Sequence, residues 1–118
     1  MTLVDTSVWI DHLRSRNASL VALLESDHVL THPFVIGEVA CGNLSNRRQV
    51  LELLQSLPAA VRAADAEVLA LVEGRRLYGT GVGWVDVHLL AAALLTPCGI
   101  WTLDARLREA AEDAGVLA

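Results

Sequence analysis

Short apolar runs recur along this chain, separated by longer stretches of helical periodicity, and that alternation limits the fold more than any other feature. Leu3-Val4-Asp5, His28-Val29-Leu30-Thr31 and Ile100-Trp101-Thr102 are too short for helices and too apolar for loops, which predicts buried strands. Helices are expected from about Thr6 to Arg14, Ala18 to Glu25, Pro33 to Cys41, Arg47 to Leu57, Ala63 to Tyr78, Trp84 to Leu95 and Ala105 to Ala114. Thr6 or Ser7 can cap the first of these, Pro33 suits a first helical position, and Pro58, Gly79 and Gly115 punctuate the rest. The segment Trp84 to Leu95 is apolar on nearly all sides, so its helix should be central and buried. Short strands alternating with helices imply an α/β fold with a mainly parallel sheet covered on both faces. Ligands of such sheets bind beyond the carboxyl ends of the strands, where Asp5 lies.

A length of 118 residues with no repeat, linker or low-complexity tract suits a single domain over residues 1–118. Apolar residues make up 53%, a surplus for so small a chain, and a protein interface such as a homodimer would use it. Membrane insertion is not expected, because the longest apolar stretch, Leu89 to Leu95, falls far short of the ~20 residues of a span. The early acids Asp5 and Asp11 argue against a secretory signal, and two unpaired cysteines, Cys41 and Cys98, fit the reducing cytoplasm. The formal charge is −5, and all nine basic residues are arginine. At face value that balance opposes a nucleic-acid partner, unless several of the acids are neutralised by a bound cation.

Four carboxylates stand in places that should be apolar. Asp5 and Asp104 each follow a strand and open a helix; Glu38 interrupts PFVIGEVAC, and Asp86 is the only carboxylate in GVGWVDVHLLAAALL. Each has a structural explanation by itself. Asp5, Asp86 and Asp104 could be helix caps or first-turn acids, gaining ~0.3–1 kcal/mol from the helix dipole, and Glu38 could face solvent. Together they suggest more. Carboxylates brought within ~4–6 Å repel by about 1–4 kcal/mol per pair at moderate dielectric, and a hard divalent cation reverses that sign. Ligands that are all oxygen select Mg²⁺ or Mn²⁺ over zinc.

The order of these pieces resembles the PIN domain, in particular the VapC-type toxin ribonucleases of bacterial and archaeal toxin–antitoxin pairs. VDTSVWID resembles the family's opening strand and first acid, PFVIGEVACG the helix of the second, GVGWVDVHLLAAAL the helix of the third, and IWTLDARL the Thr-x-Asp segment of the fourth. The resemblance covers essentially the whole chain and implies a three-layer α/β/α sandwich. It implies a metal-dependent endoribonuclease leaving a 5′ phosphate, with Asp5, Glu38, Asp86 and Asp104 as its Mg²⁺ or Mn²⁺ ligands. Thr6 or Ser7, and Thr102, would be the hydroxyls that position water or phosphate. RNA and a cognate antitoxin protein are the implied partners. Arg14, Arg16, Arg47, Arg48, Arg75 and Arg76 are candidate contacts to the RNA backbone. Relatives often carry a further polar group near the third acid; His88 comes two residues later, off that helix face, and is expected in the core or behind the ligands.

Other chemistries fit less well. Aspartyl-phosphate enzymes and receiver domains also place an acid after the first strand, but they rely on a lysine and this chain has none. Haloacid-dehalogenase-type phosphatases want a second Asp at position 7, which is Ser. The loop GTGVG follows a helix rather than a strand and lacks the Lys-Ser/Thr of a phosphate-binding loop. His28 and His32 fall on a strand ending at Pro33, so they would not share one metal. The remaining alternative is a PIN-like RNA- or protein-binding module whose acids are inert.

Overall fold

A computed structural model describes residues 1–118. The chain runs β1 (Thr2–Val4), α1 (Thr6–Arg14), α2 (Ala18–Glu25), β2 (Val29–Leu30), α3 (Pro33–Ala40), α4 (Arg47–Ser56), α5 (Asp65–Gly74), α6 (Trp84–Leu95), β3 (Gly99–Trp101) and α7 (Ala105–Asp113). The three strands form a parallel sheet in the order β2-β1-β3, with Leu3 opposite both Leu30 and Ile100. β1 is central, so its side chains meet protein on both faces; Leu3 and Val4 are fully buried, which explains a continuous apolar run instead of an alternating one.

The sheet continues at both edges through single bridges. Thr31 pairs in parallel with Ala59, and Ile100 pairs in parallel with Leu117 in the C-terminal tail. The sequence leaves that tail as a short apolar end. A helix C-terminus explains its course: Gly115, at φ +74°, turns α7 back so that the Val116 amide donates to Ala111 and the Gly115 amide to Glu112. The Ile100 amide then bonds Val116 and the Ala118 amide bonds Ile100, which adds the tail beside β3. Arg76, at φ +53°, makes the same closure for α5, with Leu77 bonding Val72. That turn ends the helix at Gly74 rather than near Tyr78, although Leu77 still packs against the core as the apolar pattern expects.

Nineteen buried apolar residues form the main core, drawn from all three strands and from α1, α2, α3, α4, α6 and α7. Burying each Leu, Ile or Val contributes about 1.5–3 kcal/mol, so this cluster, not helix propensity, holds the layers together. α6 is the central helix expected: its residues from Val87 to Ala93 are all buried. It packs on β3, α5 and α7, while α1, α3 and α4 pack in succession. The chain goes from β1 to one neighbour and then crosses to the other, so the strand order reverses between β1 and β3. Open α/β sheets place their ligand crevice at such a reversal.

Candidate metal centre

Asp5 sits where β1 ends, and its amide still bonds Trp101 of β3, at 2.9 Å. The residue is only 6% exposed. Its Oδ2 accepts from the Ser7 hydroxyl at 2.7 Å, the Thr102 hydroxyl at 2.8 Å and the Ser7 amide at 3.4 Å. The expected cap from Thr6 or Ser7 is therefore corrected. Asp5 itself is the N-cap of α1, because its carboxylate reaches the free amide that those hydroxyls would have served. Ser7 Oγ also accepts from the Leu103 amide, and Thr102 Oγ1 from the Asp104 amide. These bonds stitch the turn after β1 to the turn after β3.

Asp104 caps α7: its Oδ1 accepts from the amides of Arg106 and Leu107, at 2.9 and 3.0 Å. Glu38, on the exposed side of α3, accepts at Oε1 from the Thr6 hydroxyl at 2.8 Å, a contact made by the packing of α1 on α3. Asp86, third in α6, accepts at Oδ2 from the Gly83 amide at 3.2 Å. Burial raises the Asp86 carboxyl above its ordinary value, the Gly83 hydrogen bond draws it back, and the charges of Asp5, Asp104 and Glu38 raise it further. Asp5, Asp104 and Glu38 therefore lie within electrostatic reach of Asp86.

One pattern runs through the four. Each carboxylate has one oxygen held by the protein's own donors, and no protein donor on the other. Asp5 and Asp104 cap their helices and Asp86 serves the first turn of its own, while Glu38 caps nothing and is bonded across helices by Thr6. No group of three His, Cys, Asp or Glu side chains stands close enough to hold a metal ion. The donors on offer are all carboxylate oxygens, a chemistry that suits a hard divalent cation over zinc.

His88 lies elsewhere. It is fully buried between Trp84 and Phe34, at ring-centroid distances of 4.8 and 4.6 Å. Its Nε2 is 3.3 Å from Asp65 but off the hydrogen-bonding direction, so both ring nitrogens lack partners. It is a core residue. His32 and His28 do not meet: His32 caps α3 through Nδ1, and His28 contacts Ser26. Of the candidate arginines, Arg14 lines a groove of about 240 Å³ beside Glu38, with Ile10, Leu13, Val39 and the loop at residues 42–46. Arg48 is paired with Glu52 at 3.2 Å, and nothing in the geometry brings Arg16, Arg75 or Arg76 to the acids. The sequence could not say which hydroxyl serves which acid; the structure assigns Thr6 to Glu38, and Ser7 with Thr102 to Asp5.

The PIN domain family model matches residues 2–113. The chain belongs to the PIN-domain family. It is 48% identical over 117 residues to Ribonuclease VapC32 of Mycobacterium tuberculosis, in strain H37Rv and equally in strain CDC 1551, spanning 98% of this chain and 94% of that protein. A stretch of 79 residues is also 38% identical to hydroxyethylthiazole kinase of Citrobacter koseri, but it spans only 30% of the kinase. That partial match carries no functional argument against a PIN model covering nearly the whole chain. The parallel sheet flanked by helices is the architecture expected of a PIN domain.

Proposed function

We propose that this PIN domain is a VapC-type endoribonuclease, the toxin of a toxin–antitoxin pair, hydrolysing RNA at a divalent cation held by Asp5, Glu38, Asp86 and Asp104. The observation that carries this is the set of four carboxylates with one oxygen fixed and one free, beside the reversal in strand order. Mg²⁺ or Mn²⁺ bound there would supply Lewis acidity, lowering the pKa of water and offsetting charge on the phosphodiester. Ser7 and Thr102 hold Asp5 rigid, so little ordering is left to do at the moment of reaction. Thr6 orients Glu38, an exposed residue with no protein donor on Oε2, toward the cation. A carboxylate of the set orients the attacking water and takes its proton, which is returned to the leaving O3′. The P–O3′ bond then breaks, leaving a 5′ phosphate and a 3′ hydroxyl.

The partners that follow are RNA, a cognate antitoxin protein that covers the acidic pocket, and a second copy of the chain. The inert-module alternative has less support, because helix capping alone gives no reason for Asp5, Asp104 and Glu38 to act together on Asp86. The test is cleavage of end-labelled single-stranded RNA in Mg²⁺. Wild type should give 5′-phosphate products, and Asp5→Asn, Glu38→Gln, Asp86→Asn and Asp104→Asn should each lose on the order of 10²-fold while staying folded. Cleavage in excess EDTA at the Mg²⁺ rate, or folded wild type that cuts no RNA, would overturn the proposal.

A further inference from the structure

We propose that Arg106 grips the RNA backbone at the rim of the acidic centre, and that Gly81 is the seat that holds it there. This rests on the ribonuclease assignment above and adds a substrate-positioning residue to it. Arg106 is the second residue of α7, two after Asp104. Its side chain lies against the loop that leads into α6: its Cδ and Nε are 2.7 Å, and its Cζ 3.0 Å, from where a Cβ on Gly81 would be. Gly81 also has φ +93°, so its backbone strains any side chain, and a Cβ there would displace the Arg106 arm. Gly79 has φ +73° with nothing within 4 Å, so only its backbone demands glycine. The close approach thus belongs to Gly81 alone, and it ties the turn bearing Asp104 to the entrance of the helix bearing Asp86.

Arg106 is held but not neutralised. The ion pairs within reach are Arg48–Glu52 and His88–Asp65, so Arg106 has no carboxylate partner, although Glu109 and Asp113 line the same cleft. The arginine side chains that donate hydrogen bonds are Arg47 and Arg48, which leaves every donor of the Arg106 guanidinium free. Among the charges acting on Asp86 are three carboxylates and no arginine. The guanidinium therefore does not fill the acidic centre; it lies between the turn that bears Asp104 and the loop that leads to Asp86. A chain of net charge −5 that must bring a polyanion to four carboxylates needs a local cation at that rim. An arginine pinned on bare backbone loses less freedom on binding than a solvated one, and its planar fork matches a phosphate.

The test measures binding of a fluorescein-labelled single-stranded oligoribonucleotide by anisotropy across a salt series in EDTA, with cleavage in Mg²⁺ alongside. Arg106→Gln should weaken binding several-fold and make the slope of log K against log salt shallower by about 0.7, one phosphate contact on a single strand. In cleavage it should raise KM and leave kcat within about twofold, and Arg106→Lys should restore the slope. Gly81→Ala should weaken binding as Arg106→Gln does, without changing any charge. Gly79→Ala, with similar backbone strain and no contact to Arg106, should bind as wild type. An unchanged salt slope in Arg106→Gln, or equal losses in Gly79→Ala and Gly81→Ala, overturns the proposal. Wild type that binds but does not cleave would overturn the ribonuclease assignment, while the slopes still decide Arg106.

Discussion

Burial pushes the Asp86 carboxyl upward, the Gly83 amide pulls it back, and Asp5, Asp104 and Glu38 push it up again. A folded-state pKa raised above the unfolded value contributes stability that is present at low pH and lost as pH rises through the folded pKa. The metal-free protein should therefore carry a penalty at neutral pH that a cation removes by mass action. Asp86→Asn keeps an oxygen for the Gly83 amide and removes the charge, so it should raise the melting temperature in EDTA and weaken the upward shift caused by Mg²⁺. Asp86→Ala loses the acceptor as well and should melt below Asp86→Asn. A purely structural Asp86 predicts the opposite for the Asn variant: lower stability in EDTA and the full Mg²⁺ shift. The four candidate acids stand out in the sequence because a carboxylate in an apolar setting needs a reason, and the structure brings the charges of Asp5, Asp104 and Glu38 to bear on Asp86. Which of each carboxylate's two oxygens is held was not legible, since that depends on contacts such as Thr6 to Glu38 across 32 residues of sequence.

The helix α3 shows how an element sets the position of a site residue. His32 accepts the Phe34 amide at Nδ1, so its ring proton is on Nε2, which is buried without a partner. Burial, then the neighbouring His88 and Arg62, lower the His32 pKa from 6.5 to about 4. Protonation would break the cap and place a positive charge at the positive end of the helix. A depressed folded pKa means stability that is intact above about pH 6.5 and lost as pH falls to about 4, amounting to ~3 kcal/mol. His32→Asn keeps a neutral capping acceptor, so urea midpoints measured over that window should fall less steeply with acid than those of wild type. Equal slopes would remove His32 from the account. Element boundaries set by local signals were readable: Pro33 opens α3, and Trp84 to Leu95 is α6. The end of α5 was not, because Arg76 takes a left-handed turn that its residue type does not favour. The edge pairing of the tail was hidden too, because Leu117 finds Ile100 only through the turn at Gly115.

At the scale of the molecule, a 53% apolar chain buries its main core and still exposes Val61, Leu69, Leu95 and Leu103 at 45–57%. That surplus supports self-association, and light scattering at micromolar concentration should give twice the 12.7 kDa chain mass. A clean monomer would remove the dimer from the proposal. No helix is long and apolar enough to cross a membrane, so the apolar content is not accounted for by a helical span. The net charge of −5 includes four acids that each keep one oxygen without a protein donor, and a bound cation would offset part of it. Metal-dependent hydrolysis at this site requires those oxygens to converge on a divalent ion. Calorimetric titration of Mn²⁺ into metal-stripped protein tests that convergence without RNA or turnover. Binding should be saturable, displaced by Mg²⁺, and weakened at least about tenfold in Asp5→Asn, which keeps an acceptor for Ser7 and Thr102 but loses the ligand charge. No saturable binding at millimolar Mn²⁺, or equal affinity in wild type and Asp5→Asn, would contradict it.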